Sequence, residues 1–367
     1  MPDFQKSKLH LAMFPWLAMG HITPFIHLSN ELAKRGHKIS FLLPKKALIQ
    51  LGNNNLYPDL IKFHVVAVPQ VEGLPPGAET ASDIDITGKN PLAIAFDSMA
   101  EQVELLLSDL KPDFVLYDFA DWIPKLATKI GFKTICYNVI CASCLAIGIV
   151  PARKIPKDRP MTVEELMEPP KGYPSSTVVL RGPEARTLSF IAMDYGATTF
   201  DVRITAAMKG SDAISIRTCR ELEGPMCDYL SSQYGKPVIL TGPVLPETPK
   251  GQLDEKWDKW LNQFEPKSVV YCAFGSHNDT LSPESSSNKR KVIIMDEKFI
   301  REVRHGDKGS HREGAEGQQE GGGVEADWRL WRKVDVVELR RRESDSRMRQ
   351  GKSSCFRLRI WDEFLHY

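Results

Sequence analysis

The chain has 367 residues, of which 42% are hydrophobic and 26% charged, with a net charge of +1. That length accommodates two domains, each with its own core, and the balance is ordinary for a soluble globular protein. A near-neutral chain gives no electrostatic case for nucleic acid or a membrane surface, and no apolar run approaches the roughly 20 residues that span a bilayer.

From the N-terminus, Met1–Lys8 runs directly into a strand-like segment, leaving no room for a cleavable signal peptide. The seven Cys, scattered and odd in number, suit buried thiols in a reducing compartment better than a disulfide framework. A cytoplasmic protein with no membrane span is the expectation. Leu9–Phe14 is an apolar run and predicts a strand. A turn containing Gly20 follows, then a helical pattern carried by Ile22, Phe25, Ile26, Leu28, Leu32 and Ala33. Gly36 closes that helix and Lys38–Leu43 starts the next strand, which makes a βαβ unit of the kind that builds a parallel sheet. Further strands are predicted at Phe63–Val68, Phe114–Tyr117, Lys133–Val139, Ala213–Ile216, Val238–Leu240 and Ser268–Ala273, and helices at Pro91–Leu110 and Trp122–Ile130. The fold class is α/β, mostly parallel, with helices on both faces. Pro-rich sequence interrupts the pattern at Pro151–Pro183. Leu245–Gly251 resembles a linker, placing a domain boundary around residues 243–265.

Beyond Ser276 the alternation stops. Residues 277–290 are rich in Ser and Asn, Arg301–Gly323 is charged and Gly-studded, and Arg340–Arg349 is strongly basic. Only Val292–Met295 forms a short apolar run. Such composition buries too little apolar surface to offset conformational entropy, so 277–367 is expected to be a low-order tail.

The sharpest local signal is Phe14-Pro15-Trp16-Leu17-Ala18-Met19-Gly20-His21-Ile22-Thr23-Pro24, at the carboxyl end of the first strand. Ligands of open α/β sheets bind at that edge, and a neutral imidazole there can accept a proton near pH 7. Position alone leaves His21 open between a base and a side chain that caps or packs the helix start. Asp118, in Phe114-Val115-Leu116-Tyr117-Asp118-Phe119-Ala120-Asp121-Trp122, ends another strand and could reach the same edge, where a carboxylate would fix an imidazole tautomer. From position alone, capping of the following helix is the simpler role for this segment, one that Asp121 would fill better.

Residues Lys8–Ser276 closely resemble the plant family 1 UDP-glycosyltransferases, and within them the branch-forming group that adds a second sugar to flavonoid or anthocyanin 3-O-glycosides. The resemblance rests on Phe14–Pro24, Gly36–Lys46, Val71–Thr80, Gly172–Ser176, Ile216–Glu223, Leu240–Pro243 and Ser268–Ser276, in order along about three quarters of the chain. It implies a GT-B fold of two Rossmann-like domains: an acceptor-binding domain at 1–245, a linker and the start of the donor-binding domain at 246–276, and the divergent tail at 277–367. It makes His21 the general base and Asp118 its partner in an inverting displacement. The acceptor would be a flavonoid or anthocyanidin glycoside and the co-substrate a UDP-sugar, with no metal or other cofactor. Gly275 and Ser276 would contact UDP, and Gly73–Ile84 with Ile140–Cys144 would line the acceptor pocket. The donor-binding box that the resemblance leads one to expect after Ser276 has no counterpart in 277–367, whose composition looks like coding sequence read in another frame. An alternative therefore stands beside the enzyme: a catalytically dead truncated member that at most binds the acceptor.

Cys141-Ala142-Ser143-Cys144 has redox or half-zinc-site spacing, but no second ligand pair matches it and buried thiols are expected. Gly321–Gly323 lacks the strand, helix and Lys-Ser/Thr of a phosphate loop, and Arg340–Arg349 lacks the interleaved aromatics of a nucleic-acid site.

Overall fold

The structure, a computed structural model, describes residues 8–84, 89–244 and 255–264. The first two stretches belong to one compact unit and the third to a second unit. The predicted strand Ser268–Ala273, the linker at Leu245–Gly251, Gly275, Ser276 and the tail lie outside the described residues.

In the first unit, β1 (His10–Phe14) leads into α1 (Met19–Lys34), β2 (Lys38–Leu43), α2 (Lys45–Leu51) and β3 (Ile61–Val65). Then come α3 (Lys89–Asp97), α4 (Ala100–Leu110), β4 (Phe114–Tyr117), α5 (Ile123–Ile130), β5 (Lys133–Asn138) and α6 (Ala142–Gly148). Two short helices, α7 (Val163–Met167) and α8 (Gly182–Thr187), precede a small hairpin of β6 (Asp194–Tyr195) and β7 (Thr198–Thr199). The unit ends with α9 (Phe200–Gly210), β8 (Ala213–Ile216), α10 (Arg220–Tyr234) and β9 (Val238–Leu240). The second unit is described only by α11 (Glu255–Leu261).

Among the described residues, seven strands form one sheet in the order β3-β2-β1-β4-β5-β8-β9, every pair parallel. Its two faces bury separate cores, as a doubly wound sheet must. Ala12, Phe14, Leu42, Val115 and Tyr117 point to one side. Leu11, Met13, Ile39, Phe41 and Leu116 point to the other, against Ile22, Phe25 and Ile26 of α1. This period of two explains why the strands read as continuous apolar runs rather than alternating ones.

Several expectations shift. The helix expected at Pro91–Leu110 is two, parted at Ser98–Met99, where Ser98 Oγ donates back to the Ile94 carbonyl at 2.9 Å and Met99 is buried. The strand expected at Phe63–Val68 begins and ends earlier, because Ile39 of β2 pairs with Ile61; Val66 is buried beyond its end. The Pro-rich stretch supports short helical turns, each with Thr or Pro at its start. Asp121 does not cap α5, whose preceding residue is Trp122 with no side-chain cap.

Candidate active site

His21 is the third residue of α1, which starts where β1 runs out through Trp16 and Leu17. No side chain caps this helix. His21 turns instead to the next strand over, and its Nδ1 lies 2.5 Å from Oδ2 of Asp118. Asp118 follows β4 directly, and β4 pairs with β1 in a register that sets Tyr117 beside Phe14. That pairing brings together residues 97 positions apart. It is also the point where the winding of the sheet reverses, since β2 and β3 lie to one side of β1 and β5, β8 and β9 beyond β4. Connections leave such a point in opposite directions and open a crevice between them.

The other carboxylate oxygen of Asp118 accepts two backbone N–H groups, from Trp16 and from Phe119, each at 2.7 Å. Three donors therefore fix the carboxylate plane from both strands. Both side chains are buried, His21 to 2% exposure and Asp118 to 3%. Neither does the capping work that position alone had suggested for Asp118. A neutral imidazole that donates Nδ1–H to a carboxylate carries its lone pair on Nε2. Proton exchange with a pocket occupant would go through that atom, and the adjacent carboxylate would stabilise the imidazolium that results.

His21 and Asp118 line a pocket with Asn138, Val139 and Ile140 after β5, Leu145 and Ile149 at α6, and Phe119, Phe200 and Ile204. Apart from His21, Asp118 and Asn138 the walls are hydrocarbon. Phe119 meets the His21 ring edge-on at 4.9 Å and Phe200 at 5.4 Å. Within the Ile140–Cys144 stretch expected to line the site, Ile140 is a wall. The Gly73–Ile84 loop supplies none of the walls, and it is held close by other means. The Ala81 N–H donates to the Leu17 carbonyl at 2.7 Å, while Glu79 and Asp83 receive the Lys46 N–H and Nζ at 2.7 and 2.8 Å.

The wall α6 is a short, wholly buried helix with opposite charges at its two ends. At its N-terminus the buried carboxylate of Glu223 accepts from the Ala142 and Ser143 N–H groups at 3.0 and 2.8 Å and from Ser143 Oγ at 2.5 Å. At its C-terminus the buried guanidinium of Arg153 donates to the carbonyls of Ile147, Glu165 and Glu168. A negative group at the N-terminus and a positive one at the C-terminus both complement the helix dipole. Glu223 falls within a block singled out by sequence, yet nothing there announced its task. Arg153 and Arg203 carried no sequence signal at all.

Cys141 is half-buried and Cys144 buried, and Cys136 is buried too. Burial pushes the Cys136 thiol up, as does the charge of Asp118. Among the described residues, no group of three or more His, Cys, Asp or Glu is placed to hold a metal ion, and no helix is long and apolar enough to cross a membrane.

No protein-family model matches the chain. Among curated proteins it is 53% identical over 278 residues to an anthocyanidin 3-O-glucoside 2'''-O-xylosyltransferase of Arabidopsis thaliana, a match that covers 74% of this chain. It is 47% identical over 269 residues to a cyanidin 3-O-galactoside 2''-O-xylosyltransferase of Actinidia chinensis, covering 73% of this chain. The chain belongs to the plant UDP-glycosyltransferases. It spans 59% of the length of each of these two relatives. Solved glycosyltransferases share the fold. Arabidopsis thaliana UGT89C1 complexed with quercetin superposes with a TM-score of 0.54 at 21% identity, over 74% of this chain and 59% of that one. Glycyrrhiza uralensis UGT73P12 gives 0.57 at 19% identity, over 74% and 58%. The parallel sheet of this chain is thus the N-terminal Rossmann-like part of a GT-B fold.

Proposed function

We propose that this glycosyltransferase chain binds a flavonoid or anthocyanidin glycoside in the pocket at the β1–β4 edge and transfers to one of its hydroxyls the sugar of a UDP-sugar, with His21 as general base. The observation that carries the reading is the His21 Nδ1–Asp118 hydrogen bond of 2.5 Å beside a pocket with hydrocarbon walls. Aromatic rings of the acceptor suit Phe119, Ile140, Phe200 and Ile204, and an acceptor hydroxyl donates to His21 Nε2. As its proton passes to Nε2, the oxygen attacks the anomeric carbon. The bond from that carbon to UDP breaks on the opposite face, and the configuration inverts. A positioned base of this kind contributes about 10²–10⁴-fold. Asp118 keeps the lone pair on Nε2 and balances the imidazolium. The acceptors named for the two xylosyltransferase relatives, an anthocyanidin 3-O-glucoside and a cyanidin 3-O-galactoside, support the acceptor class. The reading takes UDP-sugar as co-substrate and calls for no metal or other cofactor.

Gly275 and Ser276 are proposed to contact UDP. The proposed organisation is an acceptor-binding domain at 1–245, a linker and the start of the donor-binding domain at 246–276, and a divergent segment at 277–367, in a cytoplasmic protein. A second reading, acceptor binding without transfer, is supported by a specific feature: among the described residues, the pocket walls all belong to the first unit. The test incubates the purified chain with a panel of UDP-sugars and flavonoid 3-O-glucosides and measures UDP release. Product that forms with the parent and vanishes in His21→Ala supports transfer. Acceptor binding with no UDP release leaves the second reading, and a chain that binds no flavonoid glycoside refutes both.

A further inference from the structure

Beside the site lies a buried cation that the chemistry of proton transfer does not call for. Arg203, on α9, is 1% exposed. Its guanidinium forks onto Asp97 of α3, Nη1 to Oδ1 at 2.8 Å and Nη2 to Oδ2 at 2.6 Å. Nε donates to the Tyr195 carbonyl at 2.9 Å. Nη1 also reaches Asp121 Oδ1 at 3.2 Å and the Phe119 carbonyl at 3.1 Å. The last contact matters most, because the N–H of the same Phe119 completes the coordination of Asp118 at 2.7 Å. The backbone of Phe119 is therefore held at both polar ends, by Arg203 on one side and by the carboxylate that orients His21 on the other.

We infer that Arg203 is a positioning residue for the His21–Asp118 pair, acting through the Phe119 backbone and anchored by Asp97. The inference rests on the reading of His21 as base with Asp118 as its partner. A guanidinium suits the task because its planar fork meets one carboxylate with two parallel bonds and still directs donors to a carbonyl. An ammonium is a point charge and serves one of these partners at a time. The surroundings are shaped to the fork. Gly196 is at φ +79°, and a Cβ there would overlap both Arg203 Nη2 and Asp97 Oδ2. Arg203 also sits on the helix whose Phe200 and Ile204 wall the pocket, so one side chain ties the acceptor wall to the loop that carries Asp118.

The experiment follows the His21 ring directly and does not depend on turnover, so it can fail while the proposed transfer stands, and the reverse. The full chain is labelled with ¹⁵N-histidine, and the His21 ring signals are assigned by their loss in His21→Gln. In Arg203→Lys, exchange of the Nδ1 proton with solvent is expected to speed up by roughly ten-fold, as weakening of a charge-assisted hydrogen-bond chain implies. The share of the ring with its lone pair on Nε2 falls with it. Gly196→Ala crowds the same guanidinium without changing any side chain of the relay, and gives the same displacement if Arg203→Lys does not fold. Asp212→Asn, which weakens the bonds of that carboxylate to the Thr134 N–H and Oγ1 at the far end of β5, serves as the control and leaves the His21 signals in place. Unchanged His21 signals in a folded Arg203→Lys or Gly196→Ala variant overturn the inference. So does an equal change in Asp212→Asn, which would mean general loosening.

Discussion

Replacing Asp118 by Asn tests the site with almost no change of shape. In the parent, Oδ1 accepts the N–H groups of Trp16 and Phe119 while Oδ2 accepts Nδ1–H of His21. An amide has one oxygen and one NH₂, so it cannot satisfy all three donors. If its oxygen keeps the two backbone N–H groups, the NH₂ faces His21 and forces the ring to present a lone pair on Nδ1. The proton then resides on Nε2, and the ring cannot act as a base toward the pocket. If the amide flips, His21 keeps the productive tautomer but two buried N–H groups face an NH₂. Each buried donor left unmade costs about 1–3 kcal/mol, so the flipped form lies roughly 2–6 kcal/mol higher. At about 1.4 kcal/mol per decade, the productive tautomer is depleted about 30- to 2 × 10⁴-fold. Any UDP release should fall by that factor, while the fold, whose backbone bonds survive, changes little. The assay pairs ¹⁵N-histidine spectra, which read the tautomer, with thermal denaturation. A folded Asp118→Asn variant whose His21 ring still carries its proton on Nδ1 would refute the reasoning.

Other expectations follow from buried partners. Glu223→Gln leaves an NH₂ against one of the two N–H groups at the start of α6, and should lower stability by about 1–3 kcal/mol in denaturant titration. It should also weaken acceptor binding, since Ile140 and Leu145 flank that helix start. Arg153→Lys cannot reach the carbonyls of Ile147, Glu165 and Glu168 together and should destabilise by about 2–4 kcal/mol; a parent-like midpoint would show that the clasp is idle. Stability should fall as pH drops below about 6.5, the ordinary histidine value. Burial holds His10, His27 and His64 below it, so the unfolded chain takes up protons first and the slope of stability with pH is positive. A pH titration of the unfolding midpoint checks the sign, and His64→Gln should flatten the slope.

The strands were the most readable part of the chain, because a sheet buried on both faces demands unbroken apolar runs and Phe114–Tyr117 or Ala213–Ile216 can be little else. Helix α6, which walls the pocket, and α10, which carries the Glu223 that holds it, were not readable, each for its own reason. Every residue of α6 is buried, so it shows no amphipathic stripe for periodicity to find. The pattern of α10 is broken at Glu223, whose backbone is non-helical at φ −134°, and by Pro225 just beyond it. His21 and Asp118 were visible as polar residues at strand ends, and resemblance to a family paired them. The bonds that hold Asp118 were hidden, since one of its donors is the backbone N–H of Trp16, 102 positions away. Arg203 was hidden more deeply: its partners Asp97, Phe119 with Asp121, and Tyr195 come from three separate places in the chain, and no local pattern links them.

The placement of the pair follows from topology rather than from any special stability of the two side chains. Parallel strands β1 and β4 are neighbours in the sheet, but the helices after them cover opposite faces. The segments leaving the two strands must therefore diverge, and their first polar residues face each other across the gap that opens. His21 comes from one side and Asp118 from the other, and the register Phe14–Tyr117 sets both at the same height. A one-residue slip of that pairing would turn Tyr117 out of the core it shares with Phe14 and part the pair. It is opposed by every apolar side chain of the two strands. The core thus enforces the distance between His21 and Asp118, while Trp16, Phe119 and Arg203 set their orientation. Substitutions in the strand cores should accordingly lower stability and site integrity together. Substitutions at Arg203 or Gly196 should separate the two, moving the His21 ring while the sheet stays intact.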